Sequence, residues 1–191
     1  LSTSSELPVL AILFTVGLVL VPVGLLGLAA WLSRWGATGW GRFPDQAPQQ
    51  PLRVWVTRYA YALIPVGFGI WLAHYAFHFL TGFWTFVPVV QSFVADILDT
   101  PLLGAPRWGL GPLLPAGWLY PLELGFLGLG WFGSLLVAYR LATAEEARPP
   151  DGAYRPWGAF LPWALLLSLL FAAAIWLMGQ PMEMRGTFMV G

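Results

Sequence analysis

The chain is 191 residues long, 58% of them hydrophobic and only 9% charged, with nine acids balanced by nine arginines. A water-soluble domain carries about a quarter charged residues, so this surface has too little polarity to be covered by water. Zero net charge leaves no electrostatic case for nucleic acid, and the absence of cysteine excludes disulfides, thiolate metal sites and iron–sulfur clusters held by this chain.

A bilayer rewards apolar side chains on the outside as well as inside. The composition therefore predicts an all-α integral membrane protein: a single membrane domain over 1–191, with four transmembrane helices and one interfacial helix on the outer face. The spans read as 7–32, 59–80, 118–139 and 157–178, each reaching the ~20 residues that cross ~30 Å of hydrocarbon. The first run is longer than the apolar core of a cleavable signal and has no basic flank, so it reads as a span. The chain starts at Leu1, so an initiator Met is expected to precede it. Segments 36–51 and 144–156 are rich in Gly, Pro and polar residues and read as irregular connections. Between spans two and three, Pro88 is placed to open a short amphipathic helix over 88–98, before a Pro/Gly-rich stretch over 101–115.

Arginine sets the orientation. Arg34, Arg42, Arg53 and Arg58 lie between spans one and two, and Arg140, Arg148 and Arg155 between spans three and four. Only Arg107 and Arg185 lie on the other side, so the positive-inside rule puts both termini in the periplasm of a bacterial inner membrane. Trp31, Trp35, Trp55, Trp84, Trp118, Tyr139 and Trp157 fall near span ends, where an aromatic belt is expected. Pro22, Pro65 and Pro162 fall inside spans and each removes a helix donor. A kink at Pro65 would aim the residues that follow it.

Those residues include the only histidines, His74 and His78. Their spacing of four puts both on one helix face, with Gly67 and Trp71 before them and Thr81 after. Counting ~1.5 Å per residue from the outer end places them ~6–12 Å deep. Glu123 is the one acid well inside a span, at a matching depth. An intramembrane ionisable group is expensive and marks a functional site by default.

Four readings of this set stay open. Haem b is the first: imidazole is a usual axial ligand, and Gly67 would leave room for a macrocycle. Two histidines one turn apart cannot ligate opposite faces of one porphyrin, so the second ligand would come from Met182, Met184 or another chain. A copper, zinc or iron ion held by His74, His78 and Glu123 is the second. A quinone site, with His and Glu accepting protons, is the third. The fourth is interhelical hydrogen bonding with no ligand. In the run 180–186, Met182 and Met184 offer thioethers to copper, or contacts to a partner. Gly69 with Ala73, and Gly130 with Ser134, form small-xxx-small faces that predict tight packing of spans two and three.

Three runs, RYAYALIPVGFGIWLAHYAFHFLTG at 58–82, PLELGFLGLG at 121–130 and QPMEMRGT at 180–187, resemble the membrane portion of bacterial polyferredoxin-type membrane proteins. The family's iron–sulfur cysteines are missing here. The resemblance implies electron transfer between a membrane carrier and a redox partner, with an iron–sulfur protein among the other membrane subunits of a hetero-oligomeric complex. The functional expectation is a membrane-embedded subunit of a respiratory electron-transfer complex. A non-catalytic scaffold or assembly subunit and a copper-handling membrane protein stand as the alternatives.

Overall fold

The computed structural model describes residues 3–38, 50–144 and 154–180, and every regular element among them is helical. Helix α1 (Thr3–Thr15) passes through a π-helical turn (Val16–Leu20) into α2 (Val21–Thr38). The widened turn ends where the Val21 amide donates to the Val16 carbonyl. Pro22 explains its place. Proline has no amide to give the carbonyl four residues back, and its ring crowds that carbonyl, so the turn before it opens.

Helix α3 (Leu52–Ala60) is separated from α4 (Leu63–Gly82) by a turn at Tyr61 and Ala62. Pro65 therefore sits in the first turn of α4, where a missing amide costs least. The expected mid-span kink is instead a break upstream of the helix, with the Ile64 amide donating to the Tyr61 carbonyl at 3.2 Å. Helix α4 continues through a short 3-10 turn (Phe83–Thr85) into α5 (Phe86–Leu98). Asp99 closes α5 in the left-handed conformation at φ 49°, which Asp tolerates better than most residues. Helices α6 (Ala116–Thr143) and α7 (Pro156–Met178) follow among the described residues.

Among the described residues, four segments are long and apolar enough to cross a membrane: Glu6–Thr38, Leu63–Leu98, Gly117–Thr143 and Pro156–Met178. All four expected spans are present as helices, and the amphipathic helix expected over 88–98 is α5. Several boundaries move: α6 runs on to Thr143 past the expected end at 139, and α5 starts at Phe86, before the Pro88 expected to open it. Helix α2 runs on to Thr38, past the expected end at 32, and the helical turns of α3 fall partly in what reads as the start of span two. Hydropathy marks where a helix is apolar, not where its hydrogen bonds stop. Residues 39–49 and 145–153 of the expected connections lie outside the described residues.

The chain packs as two compact units, Leu1–Ile64 with Phe132–Leu170, and Pro65–Trp131 with Phe171–Gly191. In the first, α2 and α7 meet at glycines: a Cβ on Gly36 would fall 2.5 Å from the Gly158 carbonyl oxygen. The buried Ser33 hydroxyl donates to the Ala159 carbonyl at 2.8 Å, and the Arg155 amide to the Ala37 carbonyl at 2.8 Å. Residues 6–25 bury nothing.

In the second unit, α4 and α6 cross at Gly69 and Gly130, as their small-residue spacing predicts. A Cβ on Gly69 would lie 2.8 Å from the Phe126 carbonyl oxygen and 3.0 Å from the Gly130 Cα. Ala73, Leu127, Ala174 and Met178 form the core beside this crossing, and Trp131 stacks on Phe171 with ring centroids 5.0 Å apart. The stretch after α5 is tied down by Gln91, which donates from Nε2 to the Leu103 carbonyl at 2.9 Å and accepts at Oε1 from the Arg107 amide at 3.0 Å, and by the Leu113 amide, which donates to the Leu80 carbonyl at 2.9 Å. Gln91→Leu forfeits both bonds, at about 1–2 kcal/mol in total. Faster amide hydrogen exchange at Arg107, with α6 unchanged, is the expected result. Equal protection in the variant would show that the loop holds itself.

Candidate functional site

Helix α4 buries Val66, Gly69, Ala73 and Phe77 on one face. The opposite face carries Phe68, Trp71, Tyr75 and Phe79, each more than half exposed. Gly67 and His74 are exposed with them, and His78 is half-buried. Phe68 stacks on Trp71 at 5.9 Å, and Trp71 packs at a tilt on Tyr75 at 4.7 Å. His74 meets Tyr75 edge-on at 5.4 Å and His78 edge-on at 4.7 Å. A Cβ on Gly67 would touch nothing within 4 Å. The residues singled out on span two, Gly67, Trp71, His74 and His78, thus share an outward side of α4. It is a ribbon of aromatic rings with two imidazoles set into it.

Glu123 lies elsewhere on the compass. It is 2% exposed and shares the inward line of α6 with Leu119, Leu127, Gly130 and Ser134. The residues share a level along the two helices: seven residues from the Gly69–Gly130 crossing, about 10 Å, reaches residue 76 on α4 and Glu123 on α6. Their facing differs. Glu123 points into the packing while His74 points out of it, and among the described residues no three metal-ligating side chains gather. Met182 and Met184 lie outside the described residues.

A third feature escapes the sequence reading. Trp55, Tyr59 and Trp163 form a parallel stack, with ring centroids 6.2 and 5.1 Å apart and planes within 5°. Trp55 reads as a belt residue in the sequence, yet it is buried against Tyr59. The Trp55 Nε1, Tyr59 Oη and Trp163 Nε1 atoms are buried without a hydrogen-bond partner. Burial first, then the nearby Tyr154 hydroxyl, push the Tyr59 phenol well above its ordinary range, so it stays neutral. The Tyr154 hydroxyl donates to the Ala142 carbonyl at 2.9 Å. A Trp in the middle of an apolar run, away from either end, was the available signal for Trp163.

Helix lengths and apolar surface define the class: among the described residues the regular structure is all helical, with four helices of membrane-crossing length. Comparison with protein-family models, curated proteins and solved structures finds no match.

Proposed function

We propose that the chain is a membrane-embedded subunit of a redox or respiratory electron-transfer complex, and that the His74/His78 side of α4 meets a haem or quinone at its boundary with another subunit. The observation that carries this reading is the outward exposure of His74 on a long apolar helix, with the half-buried His78 one turn further on. In hydrocarbon a bare imidazole loses its water partners and gains none, so such residues are covered by protein, cofactor or a water-filled cavity. Flat aromatic neighbours and the open Gly67 suit a planar group, with His74 as ligand or hydrogen-bond donor. A three-ligand metal ion would need Glu123 to turn outward from a buried position. Glu123 fits better as a proton acceptor inside the packing. Iron–sulfur chemistry, if the likeness to polyferredoxin-type membrane proteins holds, belongs to a partner, since this chain has no cysteine.

The test is cofactor content. The complex, purified in mild detergent, is extracted and assayed for haem, quinone and metal. Haem or quinone near one per chain is expected. None of the three would favour the scaffold reading, which the exposed helix at 6–25 also supports, because an all-round apolar helix that buries none of its residues has surface left for a partner.

Orientation follows the arginine asymmetry, with both termini on the periplasmic side of a bacterial inner membrane. The cysteine-free sequence makes this easy to check. Asp99→Cys should react with an impermeant maleimide in intact cells, and Pro51→Cys only after permeabilisation. The reverse pattern would invert the topology.

A further inference from the structure

Helix α5 faces the wrong way for an element in water. Its buried residues are Pro88 and Gln91, and both ends of the Gln91 amide are committed to the loop that follows. Its exposed face is made of Phe86, Val89, Val90, Phe93 and Ile97. These recur at helical spacing and carry no hydrogen-bonding side chain. The polar residue has turned in and the apolar stripe out. Leu102 and Trp108, next to the two loop residues that Gln91 holds, are exposed as well.

The packing of α4 on α6 fixes the level at which α5 starts. Twelve residues outward from the Gly69–Gly130 crossing, about 18 Å, reach Thr81 on α4 and Trp118 on α6. The bond from the Leu113 amide to the Leu80 carbonyl ties the approach to α6 to the same end of α4. Trp84 and Trp118 are exposed there, as tryptophans at the headgroup level are. Helix α4 alone has 20 residues, about 30 Å, which matches the whole hydrocarbon thickness. The segment Leu63–Leu98 has 36 residues, about 54 Å, so α5 cannot fit in the same layer as a straight continuation. At Gly82 the backbone departs from ideal helical values, to φ −101° and ψ 0°, and a 3-10 turn follows. Standing out from the membrane, α5 would hold its apolar stripe in water. Lying along the headgroups, it buries that stripe among acyl chains, which ask for no hydrogen bond and receive none.

We propose that α5 lies along the outer surface of the bilayer, with Val89, Phe93 and Ile97 sunk about 5–10 Å into the outer leaflet and Asp99 in water. Leu102 and Trp108 rest on the same surface beside it. The partner of this face is the lipid itself. The proposal rests on the membrane reading above but not on any cofactor.

The chain has no cysteine, so a single introduced one can carry a nitroxide label. Val89→Cys, Phe93→Cys, Ile97→Cys and Asp99→Cys are labelled in the full chain in phosphatidylcholine nanodiscs. Leu129→Cys serves as the standard for mid-bilayer, being exposed beside the crossing at Gly130. Collisions with oxygen, which concentrates in lipid, are compared with collisions with a chelated nickel complex, which stays in water. The oxygen-to-nickel ratio should be highest at 129, intermediate at 89, 93 and 97, and lowest at 99. A ratio at 89, 93 and 97 as low as at 99 would put α5 in water, and one as high as at 129 would put it inside a span; either overturns the proposal. Few collisions with both reagents would mean that protein, such as a second copy of the chain, covers the face, and overturns it equally. A position 129 as open to nickel as position 99 would overturn the membrane reading instead. Normal insertion with no cofactor would leave the lipid-facing α5 standing.

Discussion

Gly130→Ala and Gly69→Ala should each cripple the fold, while Gly125→Ala and Gly128→Ala on the same helix as Gly130 should be harmless. The difference is one of space. A Cβ on Gly130 would fall 2.6 Å from the Pro65 carbonyl oxygen and 3.0 Å from the Gly69 Cα, whereas Cβ atoms on Gly125 and Gly128 would meet nothing within 4 Å. Both neighbours at the crossing are backbone, which cannot rotate away as a side chain can. Relief requires the two helices to part, and that strips contacts from Ala73 and Leu127 in the core beside the crossing. Lipid tails give helices no hydrophobic drive to associate, so close packing carries much of the association. The cost is expected at about 3 kcal/mol, the upper end for an overpacked site. The control pair should instead be neutral or gain up to ~1 kcal/mol from helix propensity. Thermal unfolding in detergent, followed by loss of monodisperse protein, reads both. Equal melting for all four variants would mean that the crossing does not set the stability.

His74→Ala should abolish cofactor retention and leave melting unchanged. A histidine that glued helices of this chain together would behave in the opposite way, losing an interhelical bond and stability with it. His74 is exposed, and its ring contacts are Tyr75 and His78 on the same helix, so its removal leaves no internal cavity. His78→Ala should weaken retention too, with a small loss of stability, because His78 is half-buried against Phe77 at 5.5 Å. Glu123→Gln should keep the cofactor and change the pH dependence of turnover in the intact complex, since a buried carboxyl can exchange a proton and an amide cannot. Cofactor retained in His74→Ala, with unaltered turnover, would remove the histidines from the site.

Much of the helical framework is legible in the composition. Twenty apolar residues in a row permit little else in a bilayer, so the four long helices and the amphipathic α5 follow directly. The Gly69–Gly130 crossing is legible for a related reason, because only small residues let two backbones touch. Its counterpart at Gly36 and Gly158 is not, since Gly36 sits at the head of a Gly/Pro-rich stretch and reads as loop. Side-chain facing is the harder layer. A helix apolar all round has no polar stripe to point away from the core, so sequence gives depth by counting but not direction. That is why Glu123 and the histidines are matched in level and differ in facing. The Trp55–Tyr59–Trp163 stack is hidden similarly: belt and core tryptophans look alike until their neighbours are known.

The reduced-minus-oxidised visible spectrum of the complex, recorded for wild type and His74→Ala with quinone assayed in the same samples, tests the redox reading most directly. The account predicts either a sharp α-band or bound quinone in wild type, and its loss in His74→Ala. A flat spectrum with no quinone in wild type, or a signal that His74→Ala leaves untouched, would contradict it.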